Sequence, residues 1–211
     1  DVDSNTFQID PNSIRDRITK NTKAIITVAL YGSCPEMDDI LKICEESNLY
    51  LIEDNAENFL GEYKGKIVGT FGDCASFSFQ SSKHLTSGEG GIVITDSEEL
   101  ATKIRRINSL GYAGVGASKA KISKLDIQAP DYERHVSMGW NYRMPELCCA
   151  VALAQVERID ELVNQRIKAG EILKEVIDKT NLLKSQEVPD YIRNSYWTYV
   201  AQHSTDLDWY K

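Results

Sequence analysis

Two rhythms of apolar residues alternate along the chain. KAIITVAL, residues 23–30, is a continuous apolar run of strand length and reads as a buried strand. Leu49-Tyr50-Leu51-Ile52 forms a second such run, closing at Asp54, and CASFSF (74–79) and GGIVIT (90–95) form two more. Between them the period lengthens to that of a helix. Asp10 followed by Pro11 reads as an N-cap with proline in the first turn, opening a helix through Ile18. Met37, Ile40, Leu41 and Cys44 mark one face of a helix over 35–47, and Ser97 caps another running to Ser109. GEYKGKIVG (61–69) reads as a hairpin or loop excursion, and residues 110–137 carry no regular period. From Pro145 to about Thr180 the pattern is one long helix or a pair, with Gly170 as the expected break. NSYWTYVAQHS (194–204) has strand composition.

Strands alternating with helices predict a doubly wound α/β domain. The expected division is a large domain over 1–143, followed by a connecting helix and the start of a smaller C-terminal α/β domain over 144–211. No repeat or low-complexity segment interrupts it.

Composition narrows the function classes. The 24 Lys and Arg against 32 Asp and Glu give a formal charge of −8, which argues against a nucleic-acid footprint. No apolar run approaches the roughly 18 residues of a membrane span, and the polar start DVDSNTFQID is unlike a secretory signal. Five cysteines without a CxxC pair suit a reducing compartment, so a cytoplasmic location is expected. Three scattered histidines offer no metal-ligand spacing, and no metal is expected.

The chemistry is concentrated in two segments, IEDNAENFLG (52–61) and SFSFQSSKHLTSGEGG (76–91). Asp54 stands at the carboxyl end of a predicted strand, where open α/β sheets bind ligands. Lys83 follows the next strand. A lysine and a strand-end carboxylate are what pyridoxal phosphate requires: the amine forms a Schiff base with the aldehyde, and the carboxylate keeps the pyridine nitrogen protonated. Each residue taken alone has a plainer reading. Lys83 suits a solvated surface, Asp54 a helix N-cap, and Ser78 the polar face of a strand. Gly88, Gly90 and Gly91 permit either a tight turn or close backbone approach. Asn141, Tyr142 and Arg143 suit a capping corner, and Cys148 and Cys149 the core face of a helix.

Together with DVDSNTFQIDPNSI, VALYGSCPEMDDI and GWNYRMPELCCAVALAQVERID, these segments resemble the DegT/DnrJ/EryC1/StrS family of sugar aminotransferases, within the fold type I pyridoxal-phosphate enzymes. The resemblance implies a three-layer α/β/α large domain with a mostly parallel, mixed sheet. It also implies Lys83 as the Schiff-base lysine and proton carrier, Asp54 on the pyridinium, and Ser78 on the phosphate. Asn141 is implied to reach the phosphate held by a neighbouring subunit, so a homodimer with a shared site is expected. Glu57 falls at a position near the cofactor ring. Beside the phenolate oxygen an ionised glutamate would be repelled, so it is expected to be turned away, protonated or paired with a cation.

The implied reaction moves an amino group from glutamate or glutamine to a keto sugar. Nucleotide-linked 3- or 4-keto hexoses are the first expectation and keto-inositols the second; a non-catalytic, cofactor-binding relative is the alternative from another class. Lysine at position 83 separates the chain from related sugar 3-dehydratases, which carry histidine there. Family members run longer and begin with a phosphate-binding turn and a ring-stacking aromatic not found in these residues. The chain is therefore expected to be an internal fragment that leaves a sheet edge and apolar faces uncovered.

Overall fold

The computed structural model describes residues 1–119 and 122–203. At its centre is a four-stranded sheet in the order β1 (Ala24–Val28), β2 (Tyr50–Asp54), β5 (Cys74–Ser78), β6 (Gly91–Ile94). The first three strands are parallel and β6 returns antiparallel, with Val28, Asp54 and Ser76 in register at one end. The fold is therefore α/β, as the alternation predicts, on the mixed sheet that the resemblance implies.

The helices form where their caps and periods place them. Asp10 accepts from the backbone N–H groups of Asn12 and Ser13, opening α1 (Pro11–Arg17). α2 (Met37–Ser47) ends at Asn48, whose left-handed φ of 50° closes the helix and turns the chain into β2. Ser97 caps α3 (Glu98–Asn108) through a 3.2 Å bond from the Leu100 N–H. Ile14 from α1 and Met37, Ile40 and Ile43 from α2 pack on Ile25 and Leu51 of the sheet. The hairpin of β3 (Glu62–Tyr63) and β4 (Lys66–Ile67) extends this core, and β3 also pairs with β8 (Ile192–Arg193).

The opposite face of the sheet is open. Ile26 is 58% and Tyr50 65% exposed, and α3 beside them buries no residue. β1 and β2, read as fully buried strands, are therefore covered on one face only. Ile92, Val93 and Ile94 on the edge strand β6 are exposed as well. An apolar run reports the preference of its residues, and whether both faces are covered depends on what packs there.

Three further differences have local causes. The helical stretch after Pro145 is a pair, α5 (Glu146–Val156) and α6 (Ile159–Ile177), broken at residues 157–158, while Gly170 lies inside α6. Its role is contact: a Cβ at Gly170 would come within 2.5 Å of the Tyr196 ring. The tail forms a strand only at β9 (Ala201–His203), which pairs with β7 (Leu183–Ser185), while residues 194–200 take a path set by tertiary contacts. Residue 204 lies outside the described residues. Within the irregular 110–137 stretch, a Ser123–Asp126 capping box nucleates the short α4 (Lys124–Gln128). All five cysteines are free thiols. Among the described residues no helix is long and apolar enough to cross a membrane.

Candidate functional site

The carboxyl ends of β2 and β5 bring Asp54, Glu57, Ser78 and Lys83 to one end of the sheet. Asp54 is half-buried as the last residue of β2. Its Oδ1 accepts from the Ala56 N–H at 3.0 Å and from the Ser76 hydroxyl at 3.4 Å. Among the described residues its Oδ2 has no hydrogen-bond donor. Ser78 ends β5, and its hydroxyl accepts from the Gln80 N–H at 3.2 Å, leaving its own proton for an outside acceptor.

The lysine sits on a turn that Gln80 builds. Gln80 accepts from the N–H and hydroxyl of Ser82 with its side chain, and from the Lys83 N–H with its carbonyl at 3.0 Å. The Lys83 side chain is only 14% exposed, yet its nearest carboxylate oxygen, Glu57 Oε1, lies 3.7 Å away, beyond hydrogen-bond reach. The ammonium also faces the Trp197 ring at 4.2 Å from the centroid. Glu57 is held in place by the Tyr31 N–H at 2.9 Å, which Tyr31 presents from a left-handed φ of 62°. Such a conformation in a non-glycine residue is strained by about 1 kcal/mol or more and is concentrated at functional sites. Within the chain, the cation that Glu57 faces is Lys83, at 3.7 Å.

Several residues that the sequence did not single out brace this turn. Arg166 of α6 donates to the carbonyls of Lys83 and Trp197, both at 2.9 Å, and the Trp197 indole donates to the Ser82 carbonyl at 3.0 Å. His84, next to the lysine, is 5% exposed and donates through Nε2 to the Ser195 carbonyl at 2.9 Å. Burial pulls its pKa down to about 4, because the charged imidazolium would lose its hydration there. Its Nδ1 is buried without a partner. The YW dipeptide in the tail was a signal of a kind, but its composition pointed to a strand and nothing in it specified contact with residue 83.

Two other sequence features resolve differently. Asn141 is exposed and bridges Ser109 antiparallel, and no contact joins it to Asp54 or Lys83 within the chain. Gly88 and Gly90 have φ of 85° and 151°, and a Cβ at Gly88 would meet nothing within 4 Å. The backbone turn accounts for that glycine.

The sequence model of the DegT/DnrJ/EryC1/StrS aminotransferase family matches residues 1–207. The chain belongs to this family. It is 35% identical over 197 residues to GDP-perosamine synthase of Escherichia coli O157:H7, covering 93% of this chain and 50% of that protein. It is 37% identical to a putative L-glutamine:3-amino-2,3-dideoxy-scyllo-inosose aminotransferase of Micromonospora echinospora, covering 82% of this chain and 38% of that protein. Its fold matches the solved structure of E. coli GDP-4-keto-6-deoxy-D-mannose-3-dehydratase with bound hydrated PLP. The TM-score is 0.84 at 28% identity, over 98% of this chain and 53% of the other. As a DegT/DnrJ/EryC1/StrS chain it thus spans about half the length of the relatives it matches, and its α/β fold is that of the pyridoxal-phosphate fold type I proteins.

Proposed function

We propose that this chain carries the lysine and ring-nitrogen carboxylate of a pyridoxal-phosphate-dependent aminotransferase that moves an amino group from glutamate or glutamine to a nucleotide-linked keto sugar. The observation that carries the reading is the pairing at one sheet end of a shielded, loosely held amine with a half-buried carboxylate that keeps one oxygen open. That donor set fits the cofactor: an amine outside hydrogen-bond reach of its counter-ion, an acceptor for a ring N–H, and the Ser78 hydroxyl with its proton free for a phosphate oxygen.

Bound there, pyridoxal phosphate supplies an electrophilic aldehyde and a ring that accepts electrons from the substrate. The Asp54 carboxylate would hold the proton on the ring nitrogen and the Ser78 hydroxyl the phosphate. Lys83 would be the amine that holds the aldehyde and, once freed by the donor's amine, the base that carries protons in both halves of the exchange. Glu57 holds the lysine whenever it carries a proton. Trp197 faces the amine and, with Arg166, fixes the turn.

The GDP-sugar names of the similar proteins support a nucleotide-linked acceptor. The similarity to an inosose aminotransferase supports a keto-inositol as the second reading. Lysine at 83 favours amino transfer over dehydration. The exposed position of Asn141 supports its reaching a phosphate in a neighbouring subunit, and hence a homodimer. The division into a large domain over 1–143 and a following small one, and a cytoplasmic location, complete the reading.

Borohydride reduction in the presence of pyridoxal phosphate, followed by peptide mass mapping, tests it. A reduced adduct confined to Lys83 is the expected result. A folded protein that yields no adduct at Lys83, or one spread over surface lysines, overturns the reading.

A further inference from the structure

The Lys83 amine is unusual in how it is held. An ammonium shielded from water normally has hydrogen-bond acceptors around it, since desolvation without them is costly. Here the two nearest partners are a carboxylate oxygen at 3.7 Å and an indole face at 4.2 Å. Both attract a charged amine, and neither holds it by a hydrogen bond.

Both partners are themselves fixed by hydrogen bonds. Glu57 is anchored by the Tyr31 N–H. Trp197 is anchored twice, by its indole N–H on the Ser82 carbonyl and by Arg166 on its own carbonyl. Arg166 also grips the Lys83 carbonyl, so α6, the tail and the lysine turn form one closed set of contacts. Gly170 adds to this by admitting the Tyr196 ring, which brings the tail down onto α6.

We infer that the Glu57 carboxylate and the Trp197 ring face form a resting seat for the Lys83 ammonium, occupied when the amine is protonated and not joined to the cofactor, with Trp197 acting as a positioning residue. The inference rests on the function proposed above for its place in the cycle, although the seat itself needs no cofactor. An aromatic face attracts a charged amine far more than a neutral one, so the seat holds the protonated lysine and releases it on deprotonation. A hydrogen-bonded ion pair would hold the amine more tightly; the looser contact leaves it free to move.

The test compares wild type, Trp197→Phe, Trp197→Ala and Glu57→Gln, all without cofactor. Each is labelled with the N-hydroxysuccinimide ester of acetic acid, and modification at Lys83 is mapped against that at the exposed Lys42. Trp197→Ala is expected to raise the Lys83 to Lys42 ratio on the order of tenfold, the size of a shielded cation–π contact. Trp197→Phe loses the indole anchor but keeps a ring face, and it should stay within about threefold of wild type. Glu57→Gln should raise the ratio while leaving Trp197 in place. Equal ratios in all four proteins overturn the seat, as does a Phe variant as reactive as the Ala variant, which would reduce Trp197 to an anchor. Borohydride trapping on the same proteins separates the two readings. An adduct at Lys83 with unchanged labelling ratios removes the seat and leaves the aminotransferase; raised ratios with no adduct in wild type remove the aminotransferase and leave the seat.

Discussion

Glu53 and Asp54 are adjacent on β2, and alternation along the strand sends their carboxylates to opposite faces of the sheet. Glu53 is 1% exposed and accepts from the backbone N–H groups of Gly69, Phe71 and Gly72 at 2.6–2.7 Å. Asp54 is half-buried, accepts from one backbone N–H and a distant hydroxyl, and keeps an oxygen open. One carboxylate spends its capacity holding the loop that carries the chain from β4 to β5. The other retains capacity for something outside the protein. The same charge and the same strand give a saturated structural group on one side and a carboxylate with an open oxygen on the other.

The comparison breaks most readily at Glu53. Glu53→Ala leaves three N–H groups, one buried and two half-buried, without an acceptor and should lower unfolding free energy by about 2–4 kcal/mol in a denaturant titration. A loss below about 1 kcal/mol would mean the loop finds other acceptors, and the contrast with Asp54 would lose its basis.

His84 lies between the two cases, with one ring nitrogen bonded and the other buried without a partner. Its folded pKa of about 4 lies below the ordinary 6.5, so below pH 6.5 the unfolded chain takes up a proton that the folded chain refuses. Its contribution is therefore complete above pH 6.5 and is lost as the pH falls towards 4, amounting to about 3 kcal/mol. Melts of wild type and His84→Gln across that range should converge at low pH. Parallel curves would show that His84 does not carry the dependence.

Gly170→Ala probes the packing behind the lysine. Its new methyl would meet the Tyr196 ring and should destabilise by about 1–3 kcal/mol, with reactivity at Lys83 rising as the tail shifts. Unchanged melting would mean that the tail yields without strain.

The smallest stability effect is expected at Asp54. Asp54→Asn should alter unfolding by less than about 1 kcal/mol, because few donors depend on its charge. It should nevertheless weaken pyridoxal phosphate retention at least about tenfold, measured by absorbance after dialysis, since an amide does not hold a proton on the ring nitrogen. A large stability loss without loss of retention would move Asp54 to the structural side of the comparison.

The sequence by itself determined the family and most of the central elements. Period and caps located α1, α2, α3 and the four sheet strands, because those preferences act over a few residues. The segments around Asp54 and Lys83 named two candidate groups, and the family resemblance suggested their roles. Nothing local distinguished Glu53 from Asp54, since the loop that supplies the Glu53 donors lies 16 to 19 residues further along the chain. Nor did Gly170 reveal that it admits a ring, or Trp197 that it faces an amine, because their partners are 26 and 114 residues away. Tertiary structure decided which carboxylate is saturated, which face of the sheet is covered and what holds the lysine. Those outcomes depend on donors and surfaces brought together from distant parts of the chain, and only folding sets their distances.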